Sequence, residues 1–501
     1  MPTSNIAADV IVDIAVIGGG ITGAAAARAL AEAGYSVTLL EAHDYASGTT
    51  SRTSRLQYCG LAYLFDFHKL RSVLSRPKEF LNRLALVQRS MAERRRFLAN
   101  YPHRLKRIPF YIPLFEGDPV TPAKMRLAMA AMKAIDPLSP FDWKLIQGPD
   151  LEQLPIRSRP GRAVTSAVCY YDYAYIWPER VCLDVLAEAR AAGAVTKNYM
   201  EVQRLVREGG TWRVDSCNRR LGIVETVRAK LVINCAGPWL DSVASGAGLD
   251  TPAFNAGEKG ANIAVRLPAR YAGIGLQVRD EQGAFYLIPW NDIHYVGPVN
   301  ALADATSADS FRVTPPEVKR LQALMKTYLP EDAQVEPLFS WAGTRPRTLN
   351  PATGGPAAEP KLHGPAATGL KGYFAYSGGL LMMQRSIGKE ILRGVRNVLP
   401  LPERRCKPSA SPALSDADQA LTASGVARMV REEGAWKLED ILFRRTGLGW
   451  DADMGTSSLE KASRLMASEL GWTEGDRENA IAEYRQFTAS EFGFERGVPQ
   501  G

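Results

Sequence analysis

The stretch Val12–Glu41, VDIAVIGGGITGAAAARALAEAGYSVTLLE, limits the fold more than any other part of the chain. An apolar run at 14–17 stops at Gly18-Gly19-Gly20. A helix pattern of small residues follows, with Gly23 one turn in, and a second apolar run at 36–40 ends on Glu41. This order predicts strand, tight turn, helix, strand and acid. Each residue type has a task in a dinucleotide site. Gly18 makes the turn, Gly20 lets the backbone approach a pyrophosphate, and Gly23 lets helix and strand pack closely. The helix start offers free N–H groups and partial positive charge to phosphates. Glu41, 23 positions beyond Gly18, suits a ribose diol. A glycine-rich turn in an ordinary βαβ unit is the competing reading; the two strands and the acid together favour dinucleotide binding.

At 501 residues the chain can hold two or three domains with full cores. It contains no apolar run of transmembrane length. The first residues lack a basic segment before a long apolar core, so a signal peptide is not expected. Six cysteines, at 59, 169, 182, 217, 235 and 406, form no CxxC pair and no metal-ligand spacing. Reduced thiols, no bound metal and a cytoplasmic location are the expectation. The net charge of +8 is concentrated partly in 89–107, which contains Arg94-Arg95-Arg96, Arg104, Lys106 and Arg107. A solvated helix face, a peripheral contact with an anionic inner-membrane face, and nucleic-acid binding compete for this run, in that order. No recognition motif supports the last, and no nucleic-acid partner is expected.

Residues 49–64 read as a loop entering a helix, 68–99 as a long helix, and 120–155 as helix then loop. Residues 180–192 read as a helix and 195–235 as strands, the last running into Ala236-Gly237-Pro238 beneath a cofactor. Strand patterns within 260–345, followed by a helix at 316–328, suggest an antiparallel substrate-side sheet. A Pro/Gly/Ala-rich loop spans 350–369, a strand enters Gly378-Gly379, and a helix covers 381–398. Residues 399–415 read as a linker and 416–501 as a separate helical unit.

Taken together, these motifs resemble the FAD-dependent glycerol-3-phosphate dehydrogenases and, more widely, the flavoproteins of the same fold that oxidise amines and hydroxy acids. LVINCAGPWLDSV, WAGTRPR, GYFAYSGGLLMMQRSIGKEIL and VREEGAWKLEDILFRRTGLGW (430–450) carry the likeness along with the opening stretch. The last of these resembles the signature of the dehydrogenases' C-terminal helical domain. The resemblance implies an α/β protein with three parts: a Rossmann-type, glutathione-reductase-like FAD domain, an antiparallel β-sheet substrate domain and an all-α C-terminal domain. The first two interleave over 1–398, with FAD binding mainly at 1–70, 175–245 and 340–398 and the substrate domain at 71–174 and 246–339. It further implies that Gly18, Gly20 and Gly23 hold the pyrophosphate and Glu41 the ribose. Thr50, Ser51, Ser54 and Arg55 would line pyrophosphate and flavin, Val202 the adenine, Gly237 the cofactor, and Gly378, Gly379 and Leu380 the flavin ring. There the start of the following helix can stabilise negative charge on the reduced ring. Arg345 matches the arginine that faces substrate.

Departures from the family pattern bear on the substrate. His-Gly-Gly-Leu-Arg is replaced by Tyr58-Cys59-Gly60-Leu61-Ala62, and Gly-Gly-Lys-Leu-Thr-Thr by Gly378-Gly379-Leu380-Leu381-Met382-Met383. Two cationic positions and an acid/base histidine are gone. A phosphate dianion needs several donors to offset its desolvation, so a less charged donor is expected unless Arg345, Arg347, Lys259 or Arg55 rebuild the site. The expected reaction is oxidation of CH–OH by hydride transfer to flavin N5, with electrons passing to a quinone, another acceptor or oxygen. Tyr58, with a pKa lowered by Arg345, and His294 are the candidate bases, and Arg345 and Arg347 the substrate anchors. Tyr175 and Trp177 are candidate pocket walls, and Cys59 a candidate covalent flavin link. An amine or amino-acid oxidase, and a non-catalytic flavin-binding protein, are the alternatives.

Overall fold

The computed structural model describes residues 10–61, 70–159, 161–280, 283–303, 311–349, 360–403 and 419–493. Ala62, His68, Cys406, most of the expected linker and half of the expected loop at 350–369 fall outside them. Two large sheets organise the described residues. The first has eight strands. Ile11–Ile17 lies at its centre, parallel to Val37–Leu40 on one side and Ile223–Asn234 on the other, with Tyr373–Ser377 parallel beyond. Its parallel strands are apolar on both faces because three helices cover one side and the antiparallel strands Met200–Glu208 and Thr211–Asn218, with the short helix Leu240–Gly246, cover the other. The helix Ile21–Glu32 buries Ala24–Ala27 against this sheet. Buried Arg28 ties it to two further helices, donating to Glu188 at 2.9 Å and to Gln384 at 2.7 Å.

Gly18 and Gly23 act as the motif predicts. Gly18 has φ +104°, and a Cβ on Gly23 would lie 1.9 Å from the Gly18 carbonyl oxygen. Strand and helix can approach this closely only without that methyl.

The second sheet has nine strands and is mainly antiparallel, running from Phe339–Thr348 through Asn255–Val265, Ile293–Ala303, Gly283–Trp290 and Gly275–Asp280 to Leu105–Phe115 and Val164–Tyr175. The helix Pro315–Tyr328, started by a Thr314/Glu317 capping box, buries Leu321 and Met325 on it. Three boundaries differ from the sequence reading. Phe339–Thr348, assigned to the cofactor side, pairs with Asn255–Val265 in this second sheet. Leu56–Gln57 forms a short strand on Tyr173–Ala174, and Trp143–Ile146 pairs with the same long strand. Period-two alternation identifies a strand and says nothing of its partner.

The C-terminal helices, Ala423–Arg431, Leu459–Leu470 and Glu474–Phe492, pack onto the second sheet. Trp450 meets Trp341 of that sheet edge to face at 5.7 Å, and Phe492 meets Trp450 at 5.4 Å. The unit therefore shares a core with the substrate sheet.

The basic run is not a single cationic face. Arg94 is fully buried and bonded to Asp172 at 2.9 Å. Arg95 pairs with Asp136 at 3.0 Å, Arg96 with Glu93 at 2.8 Å and buried Arg104 with Asp184 at 2.8 Å; Arg107 pairs with Asp142. Among the described residues no helix is long and apolar enough to cross a membrane.

Candidate active site

A cavity of about 1050 Å³ lies between the two sheets, at the upper end of the usual range for ligand pockets, about 300–1,000 Å³. One end is formed by Glu41, His43, Glu201 and Val202, the middle by Gly18, Gly20, Thr50 and Gly237, and the other end by Tyr58, Tyr286, Asn300, Arg345 and 378–382. The carboxyl ends of the parallel strands open into it, where the helix Ile21–Glu32 begins without a side-chain cap from Gly20. Thr50 Oγ1 accepts the Ile21 N–H at 3.1 Å; the remaining first-turn N–H groups lack intrahelical acceptors.

Most of the expected cofactor residues meet here: Gly18, Gly20, Glu41, Thr50, Ser54, Arg55, Val202, Gly237, Gly378, Gly379 and Leu380 all line the cavity. Gly23 and Ser51 do not; Gly23 packs behind the turn and Ser51 is buried. The residues fit an elongated dinucleotide. Gly237 has φ +58° with open space where a Cβ would project, leaving room for a ligand. Glu41 is oriented by N–H groups of Gly19 (2.6 Å) and His43 (2.8 Å), while burial raises its pKa. The helix expected from 381 starts at Gln384, after a 3₁₀ turn at Leu381–Met383.

At the far end, Arg345 projects from its strand beside Asn300, to whose Oδ1 it donates, with Glu258 Oε1 3.9 Å away. The other cations considered for this end are engaged elsewhere. Lys259 is buried and bound to Glu317 at 2.9 Å. Arg347, exposed on the same strand, does not line the cavity. Arg55 lines it, but its guanidinium is fully buried, paired with Glu179 at 3.2 Å and stacked over Trp450 (4.0 Å) and Trp290 (4.6 Å).

Tyr58 faces the cavity, but its pKa is shifted against expectation. Burial, with Tyr286 and Tyr170 nearby, pushes the phenol well above its ordinary value. Its ring meets Tyr286 edge to face at 6.2 Å. His294 is away from the cavity, with Nε2 3.0 Å from the Tyr271 carbonyl oxygen. Burial lowers its pKa to about 4. Cys59 does not line the cavity; burial, with Asp172 alongside, pushes its thiol up. Tyr175 lines the cavity, whereas Trp177 lines a smaller one of about 250 Å³ next to it. Sequence reasoning missed Tyr286, Asn262 and Asn300, which line the cavity from neighbouring antiparallel strands. Only their alternation within strand patterns marked them. Among the described residues no cluster of His, Cys, Asp and Glu could hold a metal.

Comparison with known proteins gives a consistent picture. A family model described as FAD dependent oxidoreductase matches residues 13–390, and one described as the C-terminal domain of alpha-glycerophosphate oxidase matches 395–477. Glycerol-3-phosphate dehydrogenase of Synechocystis sp. is 25% identical, covering 95% of this chain and 96% of that protein. The mitochondrial glycerol-3-phosphate dehydrogenase of Bos taurus is 23% identical, over 96% and 74% respectively. In fold, the chain is similar to the glycerol-3-phosphate dehydrogenase from Bacillus halodurans solved with FAD, with a TM-score of 0.69 at 20% identity over 96% of this chain and 95% of that one. The glycine oxidase from Geobacillus kaustophilus gives 0.55 at 19% identity over 81% and 99%. The chain belongs to the FAD-dependent oxidoreductase family, uses FAD as its cofactor, and carries a helical C-terminal domain of the glycerophosphate-oxidase type.

Proposed function

We propose that this enzyme oxidises a CH–OH group of a small polar donor that binds at the Arg345 end of the cavity and does not depend on a phosphate for binding. The observation that carries this reading is the charge inventory at that end. Arg345 stands with a carboxylate nearby, while Lys259 and Arg55 are bound to acids and Arg347 lies off the cavity. The curated relatives are named for glycerol 3-phosphate, whose dianion demands more positive charge than one half-exposed guanidinium supplies. FAD, when bound, supplies the hydride acceptor. Gly18, Gly20 and Thr50 would hold its pyrophosphate, Glu41 and Val202 its adenosine, and Gly237, Ser54 and Gly378–Leu380 the rest. Arg345 and Asn300 orient the donor's polar group. Tyr58 stays protonated and orients the reacting hydroxyl through its O–H, and the hydroxyl proton passes to water in the open cavity as the hydride leaves. The electrons then pass to a quinone, another acceptor or oxygen. We further place the enzyme in the cytoplasm, on the five unpaired cysteines of the described residues. Peripheral membrane contact has less support, because the arginines at 94–96, 104 and 107 pair within the chain.

The test is an anaerobic spectrum of the yellow holoenzyme with glycerol 3-phosphate, 2-hydroxy acids, uncharged polyols and amines in turn. Bleaching by a hydroxy acid or polyol at lower concentration than by glycerol 3-phosphate is expected. Preference for glycerol 3-phosphate, or bleaching by amines alone, overturns the reading.

A further inference from the structure

The C-terminal signature 430–450 has no part in the chemistry above, yet its side chains reach the loop that lines the cofactor cavity. That loop, 42–55, contributes Ser47, Gly48, Thr49, Thr50, Thr53 and Ser54 to the cavity wall. Three charged residues of the loop, Asp44, Arg52 and Arg55, the last two also lining the cavity, have their side-chain ends tied down. Asp44 is buried and accepts from both Arg444 (2.6 Å) and Arg445 (2.6 and 2.8 Å). Arg52 donates to Glu491 at 2.6 Å and lies over the Phe492 ring at 5.0 Å. Arg55 is stacked over Trp450, whose indole N–H donates to Glu179 (2.9 Å), the acid that pairs with Arg55.

Local geometry supports these long-range tethers. Residues Asp440–Arg445 form a π-helix, an uncommon element found mostly at functional positions, and adjacent Arg444 and Arg445 both reach Asp44 from it. Burial alone would raise the Asp44 pKa; the two guanidiniums outweigh it and hold the carboxyl below its ordinary value. Within the loop, Ala46 (φ 59°) and Arg55 (φ 56°) adopt left-handed backbone that non-glycine residues rarely take. Such conformations persist only where the surroundings over-determine them.

We infer that the C-terminal helical domain clamps the cofactor loop, with Asp44, Arg52 and Arg55 as positioning residues that the domain grips through Arg444, Arg445, Glu491 and Trp450. The clamp sets how long FAD stays bound. Its contribution is distinct from ordinary stability, because it presents the loop in the shape that FAD requires.

The test compares the full-length wild-type protein with Glu491→Gln and Arg445→Lys. FAD release is followed by the fluorescence of the freed flavin, and melting temperature is measured with and without FAD. Both variants are expected to release FAD about tenfold faster, a loss matching one charge-assisted hydrogen bond. The gap between holo and apo melting temperatures should shrink while the apo value stays near wild type. The charge swap Arg52→Glu with Glu491→Arg should restore slow release. If both variants release FAD at the wild-type rate while apo and holo forms lose equal stability, these contacts are only structural and the inference fails. Should Arg445→Lys not fold, Glu491→Gln decides alone, since Glu491 is a quarter exposed and a glutamine oxygen can still accept from the buried Arg52.

Discussion

Arg345 and Glu258 make opposite predictions for an anionic donor, and their signs test the site reading. The two side chains lie 3.9 Å apart and are 45% and 32% exposed. Two unit charges at this distance interact by about 1 kcal/mol in water and about 4 kcal/mol at an effective dielectric of 20. Their exposure places the pair near the lower figure, as for other solvated ion pairs. Glu258→Gln removes that competition, so a monoanionic donor should reduce the flavin with KM lowered about fivefold. Arg345→Gln removes charge-assisted hydrogen bonds to the same donor, each about 1.5–3 kcal/mol. It should lower kcat/KM by about 10- to 150-fold. Because Arg345 is half exposed, its replacement should leave flavin content and melting temperature nearly unchanged. Anaerobic stopped-flow bleaching of the holoenzyme, at fixed ionic strength, reads both effects. Added guanidinium should partly restore Arg345→Gln. An Arg345→Gln enzyme with unchanged kcat/KM, or a Glu258→Gln enzyme with weaker anion binding, refutes the assignment of this end of the cavity to the donor.

Gly23→Ala should empty the enzyme of flavin and cost several kcal/mol. The new Cβ would sit 1.9 Å from the Gly18 oxygen and force helix and turn apart by about 1 Å; full flavin content with a melting temperature within about 1 °C of wild type contradicts this. Tyr58→Phe should slow flavin reduction less than about tenfold and leave the pH profile unchanged below pH 10, since burial among Tyr286 and Tyr170 keeps the phenol protonated. A loss of 100-fold or more, or a vanished pH limb, would make Tyr58 the base after all. Burial, with Asp440 alongside, pushes Glu439 up to about 7. Its folded pKa lies above the unfolded value, so its favourable contribution is complete below about pH 4.5 and is lost as pH rises through 7. Glu439→Gln should therefore stabilise the enzyme at pH 8 by about 2 kcal/mol, discounted for partial exposure, and change little at pH 4.5. Equal melting shifts at both pH values would contradict it.

Features that the sequence marked and the fold brings to one cavity depend on neighbours in the chain. The turn at 18–20, the acid at 41 and the double glycine at 378–379 are local devices, each with its own spacing. Arg345 was found through a short motif next to a strand. What the sequence concealed depends on distant partners. The run at 94–107 reads as a basic face because its acids, Asp136, Asp142, Asp172 and Asp184, lie far along the chain. Arg55 lines the cavity as the resemblance implies, but its partners Trp290, Trp450 and Glu179 are remote in sequence and no local spacing marks them. Tyr58 reads as a phenol ready to lose its proton beside Arg345; burial, with the phenols of Tyr286 and Tyr170 from two distant segments, shifts it the other way. His294 has a strand setting that fits a site or a core equally well, and only its neighbour Tyr271 decides.

The order in which a ribosome delivers these parts has a consequence of its own. The glycine turn and Glu41 emerge first, but Ile223–Asn234 must arrive before Ile11–Ile17 gains its second parallel neighbour. Arg444 and Arg445 follow Asp44 by 400 and 401 positions. At about 5–20 residues per second, the loop waits roughly 20–80 s for those partners. During that interval a nascent chain has the beginning of a nucleotide fold and no finished place for its cofactor. If the clamp is needed for binding, flavin capture would be a late event of biosynthesis, and a ribosome-stalled chain ending before the last helices should leave free FAD in solution.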